Sequence, residues 1–148
     1  MCAFQKFLVP VDGSAAADRA AAKAAEFAGM TGAHIDLIYI AELRNGPMPQ
    51  HIIRREDMPA DVIEALKKTG DDILERVYQK LPSEIQNRTV LHTEAGDPKE
   101  IILEMAQIFK TDLIVMGTRG LNPEQAIMIG SVSRYLIECA VCPVMIVH

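Results

Sequence analysis

Five short strand-like runs, four of them apolar and one, RTVLHTE, suited to a partly exposed strand, alternate with stretches of helical periodicity and constrain this chain more than any other feature. They are FQKFLVPV at residues 4–11, HIDLIYI at 34–40, RTVLHTE at 88–94, LIVM at 113–116 and VMIV at 144–147. Each has the length of a strand. The segment from about Ser14 to Met30 is packed with alanine, so its inner face can lie close to a sheet, and Gly29 and Gly32 both read as stop signals. From Asp61 to Leu81 apolar residues recur at Val62, Ile63, Leu66, Ile73, Leu74, Val77 and Leu81, one face of a helix. Gly70 reads there as a tolerated weak point, and Pro82 as part of the stop. Asp97-Pro98-Lys99-Glu100 supplies a cap, a proline at the first helical position and an acid at the third, ahead of Ile101, Ile102, Met105 and Phe109. A last helix is expected from about Ser131 to Ala140. Strands that alternate with helices predict a parallel sheet with right-handed crossovers.

A chain of 148 residues, 49% of them hydrophobic, fits one such domain over residues 1–148. With 15 Lys and Arg against 20 Asp and Glu it is mildly acidic, which argues against nucleic acid or an anionic membrane surface as a partner. The opening MCAFQKFLVPVDGS breaks its apolar run at Pro10 and Asp12 and does not read as a secretory signal. No run reaches membrane-spanning length. The expectation is a cytoplasmic protein without membrane insertion. Cys2, Cys139 and Cys142 are an odd set that fits reduced thiols. Cys139-Ala-Val-Cys142 lies at a helix end, where a redox pair is out of place, and reads as buried small apolar residues. His92 reads as a surface strand residue. Residues 41–60, AELRNGPMPQHIIRREDMPA, carry no pattern and read as a long excursion of the lid or partner-surface kind, with His51, Arg54 and Arg55 able to reach a phosphate but read first as a solvated charged face.

The chemistry concentrates in residues 115–133, VMGTRGLNPEQAIMIGSVS. Gly117, Gly120 and Gly130 can take positive φ or let a ligand approach the backbone, and Ser131 and Ser133 add hydroxyls beside the unpaired N–H groups of a helix start. An anion is the natural guest. Asp12 falls at the end of the first strand, the edge where doubly wound sheets bind ligands, and it also suits a turn or cap. There is no G-x-x-x-x-G-K-[ST], and no G-x-G-x-x-G follows the first strand, so neither a P-loop hydrolase nor a dinucleotide-dependent dehydrogenase fits. Three tyrosines, four phenylalanines and no tryptophan weaken a flavin carrier. No hydrolytic or metal-binding set can be assembled, so no catalytic residue and no metal ligand is named.

The spacing Gly117, two residues, Gly120, nine residues, Gly130, Ser131 resembles the nucleotide-binding loop of the universal stress protein family, in its ATP-binding branch. FLVPVDGS at 7–14 resembles the family's opening strand and PVMIVH at 143–148 its closing strand, so the resemblance covers nearly the whole chain. It implies a Rossmann-like α/β fold: a single doubly wound, five-stranded parallel sheet in the order 3-2-1-4-5 with helices on both faces. In that order the first and fourth strands are neighbours, and a crevice opens at their carboxyl ends where Asp12 and Met116-Gly117 arrive.

The resemblance further implies ATP as ligand, with Mg²⁺ or Mn²⁺ assisting. The implied contacts are Pro10, Val11 and Asp12 at the first strand's end, Ile40 beside the adenine, and Met116, Gly117, Gly120, Gly130, Ser131, Val132 and Ser133 around ribose and phosphates. Arg119 stands at a position often basic in the family. The segment LNPEQAIMI between Gly120 and Gly130 departs from the pattern in carrying no Lys or Arg. Phosphate charge is then left to backbone N–H groups, Arg119 and a metal ion.

The leading expectation is an ATP-binding regulator of the stress response, acting through its conformation or through a protein partner such as a transporter or regulator. The alternatives are a slow ATPase or phosphotransferase, and a nucleotide-free interaction protein. Pro143 to Val147 is expected to form a sheet edge with neither charge nor internal proline, and antiparallel pairing of two such edges gives a two-fold homodimer, as the resemblance also implies.

Overall fold

The computed structural model describes residues 4–42, 59–118 and 130–148. The elements are β1 (Lys6–Pro10), α1 (Ala15–Thr31), β2 (His34–Glu42), α2 (Ala60–Gln79), α3 (Ser83–Gln86), β3 (Thr89–Gly96), α4 (Pro98–Ile108), β4 (Leu113–Gly117), α5 (Ser131–Cys139) and β5 (Val144–Val147). The five strands form one all-parallel sheet in the order β3-β2-β1-β4-β5. The expected fold class and order are those observed.

Side-chain alternation along the strands divides the core in two. Phe7 and Val9 of β1, Ile35 and Leu37 of β2, and Leu113 and Val115 of β4 face α1, α2 and α3. Leu8, Ile38, Ile114 and Met116 face α4 and α5 through Ile102, Ala106 and Leu136. Both faces of the central strands are therefore covered, which explains why their sequences run apolar without alternation. Helix α1 meets the sheet with Ala20, Ala24 and Ala28, all fully buried. Small side chains let its axis come close.

The helix signals resolve in physical detail. Ser14 caps α1 by accepting a hydrogen bond from the Ala17 N–H at 3.2 Å, and Asp97 caps α4 by accepting from Lys99 at 2.9 Å. Gly32, at φ 78°, ends α1 as a left-handed cap whose N–H bonds the Ala28 carbonyl. Gly29 lies inside the helix, so only the second stop signal is real. Pro82 does follow α2, but it also starts α3, a single turn without periodicity of its own.

Two expectations are corrected here. Gly70 is no mere weak point: a Cβ there would lie 2.5 Å from Tyr39 Cδ1 and 2.8 Å from Thr93 Cγ2, so its absence lets α2 settle on β2 and β3. His92 is not a free surface residue either, being partly buried with its side chain 23% exposed. Its Nε2 lies 2.8 Å from Asp36 Oδ1 and its ring stacks on Phe109, centroids 4.4 Å apart, beneath the end of α4.

Candidate functional site

β1 and β4 are adjacent, paired Phe7 to Leu113 and Leu8 to Ile114. Their carboxyl ends carry Pro10-Val11-Asp12 and Met116-Gly117 to one edge of the sheet. The helices that follow these strands, α1 and α5, pack on opposite faces of the sheet, the arrangement that opens a crevice in a doubly wound fold. Val11 belongs to the core beneath, with its N–H bonded to the Ile38 carbonyl at 2.9 Å. Asp12 turns the chain: its Oδ1 accepts from the Ser14 N–H at 2.9 Å, in an Asx turn that includes Gly13 at φ 89°. The other carboxylate oxygen of Asp12 has no donor among the described residues.

The start of α5 is fastened to the end of β4 by two hydrogen bonds. The Gly130 N–H donates to the Thr118 carbonyl at 2.7 Å, and the Ser133 hydroxyl donates to the Gly117 carbonyl at 3.0 Å. Thr118, buried, in turn donates its N–H to the Val147 carbonyl at 3.3 Å. Gly130 is the N-cap of α5 and offers no side-chain oxygen, so the first turn of α5, unlike those of α1 and α4, has no side-chain cap among the described residues. Those N–H groups carry the positive end of the helix dipole and lack protein partners within the helix. Ser131 beside them is exposed. Val132 packs against the core on the α4 side, as does Ile40 at the end of β2.

Gly117 and Gly130 do not take the positive φ that the sequence allows them. Among described residues the positive-φ glycines are Gly13, Gly32 and Gly96, so neither Gly117 nor Gly130 is there for a left-handed backbone. Gly130 sits at φ −60°, ψ 159°, which any residue can adopt. A Cβ on Gly117 would lie 2.9 Å from the Ala16 carbonyl carbon, so this glycine admits α1 whatever else its backbone meets. Ser133 is likewise turned inward onto Gly117 and is only 3% exposed. Arg119 and Gly120 lie outside the described residues, as do His51, Arg54, Arg55 and most of the 41–60 excursion.

Thr118 was missed by the sequence reading, and no local signal marks it, because its role depends on the β4–β5 register. The cysteines also differ from expectation. Cys139 is exposed and Cys142 half-buried. Burial, with the charge of Asp112 adding to it, pushes the Cys142 thiol up, the opposite of what a reactive thiolate needs. No helix among the described residues is long and apolar enough to cross a membrane.

A five-stranded parallel sheet in this order, covered by helices on both faces, defines the class of doubly wound, Rossmann-like α/β proteins. Within that class the chain belongs to the universal stress protein family, whose family model matches residues 3–148. A universal stress protein of Methanocaldococcus jannaschii is 34% identical over 146 residues, 97% of this chain and 82% of that protein. The solved structure of the universal stress protein UspA from Lactobacillus plantarum matches with a TM-score of 0.81 at 25% identity, covering 98% of each chain. A universal stress protein solved in complex with cAMP matches with a TM-score of 0.76 at 24% identity, covering 99% of this chain and 98% of that one.

Proposed function

We propose that the protein is a nucleotide-binding regulator of the stress response that takes ATP, assisted by Mg²⁺ or Mn²⁺, in the crevice between β1 and β4. The observation that carries this reading is the first turn of α5, which has no side-chain cap among the described residues and is held against the end of β4 by the Gly130 and Ser133 hydrogen bonds. An anionic phosphate satisfies those N–H groups. At the same sheet edge, the Asp12 oxygen that has no donor among the described residues is an acceptor for a nucleoside N–H or O–H donor, and Ile40 supplies an apolar flank. A related protein that holds cAMP shows that this fold elsewhere accepts an adenine nucleotide. A divalent ion, when bound, would neutralise phosphate charge and is held mostly by phosphate oxygens and water, which suits a site with so few carboxylates.

Regulation is favoured over catalysis by what the described residues offer: helix N–H groups, Ser131 and one carboxylate at the crevice, a set that holds phosphates at rest. Phosphoryl transfer needs in addition an oriented nucleophile and positive charge that gains in the transition state. ATP should bind in calorimetry with Mg²⁺ present, and turnover should fall far below the typical enzyme rate of about 10 per second. Absence of ATP binding sinks the proposal. Fast Mg²⁺-dependent turnover that disappears in Asp12→Ala would make the protein an enzyme instead.

The same reading includes a homodimer. β5 ends the strand order, its four residues are all half-buried, and Ile137 of α5 and Val141, in the segment between α5 and β5, are 49% and 80% exposed. Edge-to-edge pairing would bury that apolar surface about a two-fold axis. Sedimentation equilibrium should report twice the chain mass of 16.3 kDa; a single-chain mass at micromolar concentration would rule the dimer out.

A further inference from the structure

Outside the crevice, α2 makes a group of contacts that the proposed site does not use. Ile73 lies beneath the Asp12 turn, its Cδ1 3.5 Å from where a Cβ on Gly13 would stand. One turn further along the same face, Arg76 reaches across to α1. Its guanidinium grips both carboxylate oxygens of Asp18, at 3.1 and 3.5 Å, and Nη2 also donates to the Gly13 carbonyl at 3.5 Å. Lys80, the next turn on, lies 3.7 Å from the same Asp18 carboxylate. Asp18 belongs to the first turn of α1, where a carboxylate is favoured by the helix dipole. The turn that presents Asp12 is thus pinned from within by the Asx bond to Ser14 and from outside by Arg76.

We propose that Arg76 is a positioning residue for the nucleotide site: held by Asp18, it fixes the Gly13 carbonyl and so the orientation in which Asp12 meets the ligand. The inference rests on the reading of the crevice as a nucleotide site. Its physical basis is the planar, forked guanidinium, which can hold a carboxylate through two N–H groups and a carbonyl at the same time, as a lysine ammonium cannot hold with fixed direction. The pair is about half solvated, with the Arg76 side chain 44% exposed, so its contribution to global stability is small. Its effect is expected on the geometry of a turn only one residue from Asp12.

The test is calorimetric titration of Mg²⁺-ATP, and separately of adenosine, into the wild type and the Arg76→Ala, Arg76→Lys and Asp18→Asn variants, with thermal melts of each. Arg76→Ala and Asp18→Asn should each weaken ATP and adenosine by a similar factor, about 3- to 10-fold, with Arg76→Lys in between and melting temperatures close to wild type. Adenosine distinguishes the roles, because a residue that touched phosphate would move ATP affinity alone. Unchanged affinities in Arg76→Ala overturn the inference. So does a loss confined to ATP, or a loss in Arg76→Ala that Asp18→Asn does not share. Should Arg76→Ala fail to fold, Arg76→Lys and Asp18→Asn carry the same comparison. If the wild type binds neither ligand, the nucleotide reading falls first and this inference with it.

Discussion

Gly117→Ala should lower the unfolding free energy by about 1–3 kcal/mol, the usual cost of forcing an extra carbon into a packed core. The new Cβ would lie 2.9 Å from the Ala16 carbonyl carbon and 3.0 Å from both its oxygen and its Cβ. Two of those three atoms are backbone, so no rotamer change relieves the contact. α1 must move outward, yet it is seated on the sheet by a row of fully buried alanines and cannot tilt without opening voids along Ala20, Ala24 and Ala28. For the same reason Ala16→Gly, which removes only the side-chain part of the overlap, should restore little of the loss. Urea titrations check this as a lowered midpoint at unchanged slope. A Gly117→Ala variant within about 0.5 kcal/mol of wild type would mean that α1 yields freely and that the glycine is there for the ligand alone.

That residue also shows what could be read before the fold was known. The central strands were legible because β1, β2 and β4 are short apolar runs with buried residues on both faces, and the helix starts because Ser14 and Asp97 carry their own capping chemistry. The meaning of individual residues inside those elements was less legible wherever it depends on a partner distant in sequence. Gly70 has a poor helix propensity, and only the approach of Tyr39 and Thr93 shows why a larger residue is excluded. His92 looked like a polar tip on an exposed strand until Asp36 and Phe109 came beside it. Gly29 and Gly32 are equivalent as letters; the chain reaches a left-handed conformation only at the second. In the site, the convergence of Asp12 with Met116 and Gly117 followed from the strand order that the family resemblance implies and that periodicity alone does not supply. The inward turn of Ser133 did not, since it depends on the placement of α5 against β4.

Gly130→Val should weaken ATP about 30-fold or more while leaving the protein folded, and the backbone at this position explains why the two effects separate. At φ −60°, ψ 159° the N-cap of α5 is in extended space that valine favours, so the substitution introduces no backbone strain. The cost to α5 is that of a poor N-cap residue, at most about 1 kcal/mol. The cost to a bound phosphate is larger: a branched side chain at the mouth of the helix start displaces the anion from N–H groups whose charge-assisted bonds are worth about 1.5–3 kcal/mol each, and every 1.4 kcal/mol is tenfold in affinity. Gly130→Ser supplies an independent reading of the same geometry. A serine hydroxyl can cap the first turn as Ser14 caps α1, which should raise stability slightly while competing with the phosphate for the same N–H groups. The two variants therefore move stability in opposite directions and ATP affinity in the same direction. Calorimetry that finds ATP affinity unchanged in both would show that the anion does not sit at the start of α5.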